Sequence, residues 1–189
     1  MTAINVYALP AAPWKNGGGA TREIFVSPPA AGYDDFDWRI SIAEIASSGE
    51  FSPFPGVDRT ILLLDGAGMV LHSNGDRVHP LTIPFEPYGF SGNDSVRSEL
   101  VNGSAHDFNV MTRRGHAQAD VRVFQSETRQ SIIADAAVFF CPRGAWRVDE
   151  TELSAGWALQ VDRPGSQMFF TPQTTDAVMI AVLVKLEYS

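Results

Sequence analysis

The amino-acid sequence predicts an all-β fold, two tandem jelly-roll β-barrels with very little helix. Three observations carry that prediction. Sixteen glycines and twelve prolines punctuate the 189-residue chain, leaving little room for a long helix. Between them recur short apolar or alternating runs, the pattern of a sandwich or barrel rather than of a βαβ sheet. Finally, ILLLDGAGMVLHS, beginning at Ile61, is echoed by VFFCPRGAWRVDE, beginning at Val138. Each is an apolar strand, a glycine-containing turn and a return strand. Each is followed later by a further apolar strand, FNVM at 108–111 and VMIAVLV at 178–184. One unit used twice explains the echo; a single large sandwich is the alternative.

Taken in order, the strand candidates are 3–9, 21–27, 37–45, 59–64, 68–72, 96–101 and 108–111 in the first part of the chain. They continue at 119–124, 137–141, 144–148, 156–161, 168–171 and 177–186. One helical turn competes with strand over 42–47, where Ala-Glu-Ile-Ala occurs. The division expected from this order is an N-terminal barrel at 1–115 and a C-terminal barrel at 116–189, with strands open to sharing between them.

Hydrophobic residues make up 44% of the chain and charged residues 19%, which fits a packed protein and is too apolar for disorder. No apolar run approaches the roughly 20 residues that span a bilayer. The opening MTAINVYALP lacks the basic start and apolar core of a signal peptide, so a cytoplasmic location is expected. The single cysteine, Cys141, lies in AAVFFC and reads as a buried, inert thiol in a reducing compartment. The formal net charge of −8 disfavours nucleic acid and anionic membranes as partners. Lysine occurs only as Lys15 and Lys185. The remaining basic groups are arginines, the side chains that grip carboxylates through paired hydrogen bonds.

Three segments carry chemical interest. In PWKNGGGATRE, three consecutive glycines permit close approach of a ligand or another chain, flanked by Trp14, Lys15, Asn16, Thr21, Arg22 and Glu23. It is either a plain glycine hinge or the floor of a site in which Lys15 and Arg22 supply charge and Asn16 an amide. Its spacing fits neither a phosphate loop nor a dinucleotide fingerprint. In the second segment, alternation puts Arg39, Ser41 and Ala43 on one strand face and Trp38, Ile40 and Ile42 on the other. That polar face lines a pocket if it points inward and is merely solvated if it points outward. The rigid turn FSPFPG follows, with Phe54, and Arg59 stands at the mouth of the next strand. In the third, HDFNVMTRR, Asp107, Asn109 and Met111 share a face; Asn109 serves either a pocket or the backbone.

No metal site is expected. A metal-binding barrel brings three or four ligands together, starting from HxH, whereas His72, His79, His106 and His116 are dispersed. No GxSxG elbow occurs, nor a recognisable pairing of a Ser or Cys nucleophile with a His base. Glu23 and Glu44 remain a conceivable acid–base pair.

PWKNGGGATREI, WRISIAEI, FSPFPGVDR and DFNVMTR, in this order over roughly residues 13–114, resemble the HutD/Ves family. The resemblance implies a bicupin, a double cupin fold that has lost its metal ligands and needs no cofactor. It also implies association with bacterial histidine utilisation. The implied role is to bind a small acidic pathway compound, urocanate- or formylglutamate-like, and to restrain flux or expression rather than to catalyse. Carried over by motif, the ligand-binding residues are Trp14, Lys15, Asn16, Arg22 and Glu23, then Arg39, Ser41, Phe54 and Arg59, and finally Asn109.

The chemistry of these residues suits such a ligand. Arginines pair with a carboxylate, an amide orients it, and Trp14 and Phe54 wall its apolar part. The competing view makes the arginines structural partners of Glu23, Glu44 and Asp58. Two other functions stay open: a metal-independent isomerase or hydrolase using Glu23 or Glu44 as base, and an interaction module whose barrel edge pairs with a partner or with a second copy as a homodimer.

Overall fold

The computed structural model describes residues 1–125, 129–162 and 167–187. Strand β1 (Thr2–Asn5) opens the chain and runs into a single 3-10 turn at Val6–Ala8. Next come β2 (Ala12–Pro13), β3 (Gly19–Ser27), β4 (Trp38–Ile45), β5 (Gly49–Glu50) and β6 (Val57–Gly66). After the turn at Gly66–Gly68 follow β7 (Met69–Ser73), β8 (Arg77–Leu81), β9 (Tyr88–Ser91), β10 (Val96–Leu100) and β11 (Ala105–Arg113). The second half holds β12 (Ala117–Phe124), β13 (Gln130–Ile133), β14 (Ala136–Arg143) and β15 (Ala145–Val148). It closes with β16 (Thr151–Ser154), β17 (Trp157–Asp162), β18 (Gln167–Pro172) and β19 (Val178–Leu186). The segment at 42–47 is strand as far as Ile45, so the competing helical turn is absent there.

The chain divides into two compact units, Pro10–His116 and Met1–Leu9 with Ala117–Ser189. The first contains a six-stranded sheet, β2-β3-β4-β11-β6-β9, and a four-stranded sheet, β5-β10-β7-β8. The second contains a five-stranded sheet, β1-β17-β14-β19-β12, and a four-stranded sheet, β13-β18-β15-β16. All of these pairings are antiparallel. Each unit is thus a two-sheet jelly-roll sandwich whose sheets stay separate rather than closing into one barrel. Adding eight to each strand number from β4 to β11 converts the first unit's strand order into the second's. The echo between the segments at Ile61 and Val138 is this repeat, β6–β7 against β14–β15.

The two units differ at their edges. Strands β2 and β3, which carry the glycine motif, extend the first unit beyond β4 and have no counterpart beyond β12 among the described residues. The N-terminal residues depart from the expected division at 1–115. β1 pairs with β17, Thr2 opposite Gln160 and Asn5 opposite Trp157, and so belongs to the unit formed by the C-terminal half. The backbone reason is that β17 otherwise leaves a free edge, and an unpaired row of N–H and C=O groups recruits whatever extended segment reaches it.

The interiors also differ. In the second unit both sheets contribute to an apolar cluster that includes Phe139, Cys141, Trp146, Val148, Leu159, Met168, Phe170, Met179 and Leu183. Phe170 sits among Phe124, Phe139 and Trp146, with ring centroids 4.8, 5.4 and 5.8 Å away. The Cys141 thiol is buried in this cluster, and burial pushes it up to about 11. It should stay unreactive towards a thiol reagent at pH 8 until the unit unfolds, which a titration with and without denaturant checks. In the first unit the apolar cluster of Ile45, Ile61, Leu63, Met69, Leu71, Leu81, Val96 and Ala105 fills only part of the interior. A smaller apolar cluster of Phe36, Val57 and Met111 adds to it, and the interior also holds a polar part, with Arg39, Ser41, Arg59, Asp107 and Asn109 buried.

Candidate functional site

The polar part begins with strand parity. On β4, Arg39, Ser41 and Ala43 share one face, and the antiparallel register sets Met111, Asn109 and Asp107 of β11 beside them. On the other side of β11, Arg59, Ile61 and Leu63 of β6 take the same positions. The face therefore reads in three rows: Arg39–Met111–Arg59, then Ser41–Asn109–Ile61, then Ala43–Asp107–Leu63. Arg39, Ser41, Arg59, Asp107 and Asn109 are each at least nine-tenths buried. Polar groups at such depth carry a desolvation cost unless something pairs with them.

All residues of these rows but Ile61 and Leu63, which join the apolar cluster, line a cavity of about 720 Å³ formed entirely by residues of the Pro10–His116 unit. Of the residues expected from sequence, Trp14, Lys15, Asn16, Arg39, Ser41, Phe54, Arg59 and Asn109 line it. Glu23 lies outside the lining but reaches Arg39, its Oε2 accepting from Nε at 2.7 Å. Arg22 is a correction. It stands opposite Ile42, whereas Thr21 and Glu23 stand opposite Ala43 and Ser41, so the period of two turns Arg22 to the other face of the sheet. The same parity separates the conceivable acid–base pair. Glu44 lies opposite Ala20 and His106, on the face away from Glu23 and the cavity.

The glycine run shapes one wall. Gly17 turns the chain at φ +71, and the Trp14 backbone N–H donates to the Gly19 carbonyl oxygen, 2.9 Å away. Asn16 spends its Oδ1 on the Gly18 N–H at 2.9 Å, and the Trp14 indole N–H donates to Thr21 Oγ1 at 2.8 Å. Asn16 and Trp14 are thus fixed by local hydrogen bonds while their remaining surface faces the cavity.

The two arginines are held differently. Arg39 bonds to Glu23, its guanidinium lies 4.8 Å from the Tyr33 ring centroid, and it donates weakly to Ser41 Oγ at 3.4 Å. Arg59 lies among three rings, 4.9 Å from Phe90, 5.4 Å from Phe51 and 5.6 Å from Phe54. Such stacking holds a cation without consuming its N–H donors. Arg59 Nε, Asp107 Oδ1 and Asn109 Oδ1 have no hydrogen-bonding partner among the described residues. Burial lowers the Arg59 guanidinium to about 10, opposed by Asp107 and reinforced by Arg39, so it stays charged at neutral pH. Burial pushes the Asp107 carboxyl up to about 7 even though Arg59 pulls the other way.

Sequence reasoning omitted Asp107, Thr21, Tyr33, Glu50, Phe51, Met111 and Arg113 from the site, and all line the cavity. Asp107 was accessible through its shared face with Asn109. Tyr33 was not, because it arrives on an irregular segment. Arg113 secures that segment by donating to the carbonyls of Phe36 and Asp34, each at 2.9 Å.

The expected pairing of Asp58 goes elsewhere, to Arg114 at 2.6 Å. The histidines stay apart: His72 faces Glu99 at 3.3 Å, His79 stacks on Tyr88 at 3.6 Å, and His116 meets Asp37 at 2.6 Å. Among the described residues no group of three or more His, Cys, Asp or Glu side chains could hold a metal ion. No helix among them is long and apolar enough to cross a membrane.

Fold and cavity together define a protein of two cupin-like units, the first enclosing a polar cavity built on arginine, amide and carboxyl groups. The chain belongs to the HutD family, whose model matches residues 7–179. A relative named Protein Ves, from Citrobacter koseri, is 37% identical over 184 residues, 92% of this chain and 94% of its own length. Among solved structures, that of HutD from Pseudomonas fluorescens SBW25 in a formate condition superposes with a TM-score of 0.86 at 29% identity, covering 98% of each chain. The conserved protein of unknown function PA5104 from Pseudomonas aeruginosa PAO1 gives 0.88 at 29% identity, over 97% of this chain and 98% of its own. At the level of fold alone, a cupin 2 conserved barrel domain protein from Leptotrichia buccalis gives 0.61 at 12% identity, over 97% and 96% of the two chains.

Proposed function

We propose that this protein is a metal-independent, non-catalytic binding protein for a small acidic metabolite, a regulator associated with histidine utilisation whose ligand is urocanate- or formylglutamate-like. The observation that carries the reading is Arg59. It is a buried cation caged by three rings, with its Nε unpaired among the described residues and a second arginine across Met111. A carboxylate supplies the missing acceptor and offsets the desolvation cost of the guanidinium. The formate condition of the Pseudomonas fluorescens HutD structure is compatible with a site for small carboxylates. Neither Glu23 nor Glu44 lines the cavity, so the competing enzyme reading loses both of its intended bases.

The test is a thermal-shift screen of the purified protein against urocanate, N-formylglutamate, glutamate, histidine and formate, with and without chelator. An acid at about 100 times its dissociation constant stabilises by about 2.7 kcal/mol, or roughly 5–10 °C for a chain of this size. The shift should survive chelator, and Arg59→Ala should weaken binding by at least about 30-fold while the near-UV spectrum is retained. Conversion of the bound acid, followed by chromatography, would move the protein into the enzyme class. No shift with any acid at millimolar concentration sinks the reading.

A further inference from the structure

We propose that Asp107 and Asn109 form an acceptor subsite in this cavity that reads an N–H group on the bound acid, with Asp107 the residue that decides which acids are accepted. This deepens the carboxylate-binding reading above and rests on it.

The three rows of the cavity floor are chemically graded. At one end two arginines flank Met111; at the other Asp107 stands between Ala43 and Leu63, which offer no donor. Asp107 is 2% exposed and its Oδ1 is unpaired among the described residues. In the intermediate row the unpaired Asn109 Oδ1 lies between Ser41 and Ile61. Asn109 can turn either end of its amide inward, so the acceptor character depends on Asp107. A carboxylate on Arg59 alone leaves this end of the cavity unsatisfied. An acid with an N–H further along its skeleton satisfies both ends. Asp107 stands two rows from Arg59, four residues or roughly 13 Å along the strand, and that distance less the reach of the Arg59 side chain sets the scale of the separation between N–H and carboxylate.

Discrimination follows from the asymmetry of hydrogen bonding. A site that leaves a buried polar group unpaired with the wrong ligand rejects that ligand more strongly than a misfit of shape does. An ionised carboxylate only accepts. It therefore favours an amide or heterocyclic N–H and disfavours an ether or ester oxygen at the same place. A protonated carboxyl can donate to that oxygen, and the preference then shrinks. Burial holds the Asp107 carboxyl at about 7, so the change of state falls within an accessible range. The charged groups that line the cavity with it are Arg59, Arg39, Arg113, Lys15, Asp34 and Glu50, and Arg39 already carries Glu23.

The experiment is calorimetric titration of the full chain with two matched pairs of acids differing by N–H against oxygen. One pair is urocanate and 3-(2-furyl)acrylate, the heterocyclic case; the other is N-acetylglutamate and O-acetyl-2-hydroxyglutarate, the amide case. At pH 8.5 the N–H member of at least one pair should bind about tenfold tighter or more. In Asp107→Asn, whose amide can accept or donate, that preference should fall to within about threefold. For the amide pair, whose reading groups do not titrate in this range, the preference should also narrow at pH 6.0. Equal affinities at pH 8.5 overturn the proposal, as does a preference that survives in Asp107→Asn. Formate separates the two levels of the argument. If formate binds but neither pair does, or neither discriminates, the acceptor subsite fails and the carboxylate site stands. If formate fails as well, the carboxylate reading falls with it.

Discussion

Asp107→Asn should make the ligand-free protein markedly more stable at pH 8 and should flatten its stability between pH 4 and pH 8. The folded chain holds the Asp107 proton up to about 7, whereas an unfolded chain releases it near 3.8. Between those values the folded state binds more protons than the unfolded state, so stability falls as pH rises. The favourable contribution is fully present below the unfolded value and is lost as pH climbs through the folded one. A separation of about 3 pH units, at roughly 1.36 kcal/mol each, gives about 4 kcal/mol as the upper size of the effect. Asparagine has the same shape and never ionises. The difference between the wild-type and variant midpoints should therefore be small at pH 4 and reach roughly 8–16 °C at pH 8. A difference of the same size at both pH values would mean that Asp107 ionises without hindrance. Arg59 adds to the same picture, since burial lowers its guanidinium towards neutrality while it remains charged. The cavity is thus a place where folding stability is lower than an apolar filling would make it, as expected where a chain retains buried charge for binding. The second unit shows the alternative, with Met179 and Leu183 on β19 packed into a wholly apolar cluster.

The interior strands were legible because burial imposes a pattern. β4, β6, β11, β14 and β19 carry the apolar or alternating runs that define the sequence expectation, and each lies inside its sheet. The strands that the sequence did not announce, β2, β5, β8, β9, β13 and β16, all lie at sheet edges. There one side of the backbone has no strand partner, so Pro80 is tolerated in β8 and polar runs such as Thr151–Ser154 suffice. Alternation also grouped Arg39 with Ser41 and Asp107 with Asn109, because parity along a strand is a local property, but whether those faces point inward depends on the finished sandwich, where all four are buried. Arg22 is expected in the site through its motif alone, and parity turns it away, since Arg22 and Thr21 cannot share a face of β3. The destination of β1 depended on which edge stood open in the finished sheet, and that is a property of the whole topology.

Gly19→Ala should be the most damaging small substitution in the glycine run. A Cβ at this position would overlap the backbone carbonyl oxygen of Glu44 and come within 3.1 and 3.2 Å of two Trp14 ring carbons. Neither neighbour has room to yield. Glu44 belongs to β4, held between β3 and β11, and Gly19 itself pairs with Ile45. Trp14 is tied to Gly19 by its backbone N–H and to Thr21 by its indole N–H. Relief therefore requires either opening the end of the β3–β4 ladder or expelling Trp14 from the cavity wall, and about 3 kcal/mol is the expected loss. The midpoint should drop by roughly 6–12 °C, and acid binding should weaken because a wall of the cavity moves. Gly17 provides the control. It needs glycine for its φ of +71, yet a Cβ there would meet nothing within 4 Å. Gly17→Ala should cost about 1–2 kcal/mol, and Gly17→Asn less, since asparagine enters the left-handed region more readily. Thermal denaturation and acid titration of the three variants decide the matter. If Gly19→Ala costs no more than Gly17→Ala, the run serves only to turn the chain. If it costs more by about 1 kcal/mol or above and loosens acid binding, the run is there to let Trp14 and β4 close on one another beside the arginines.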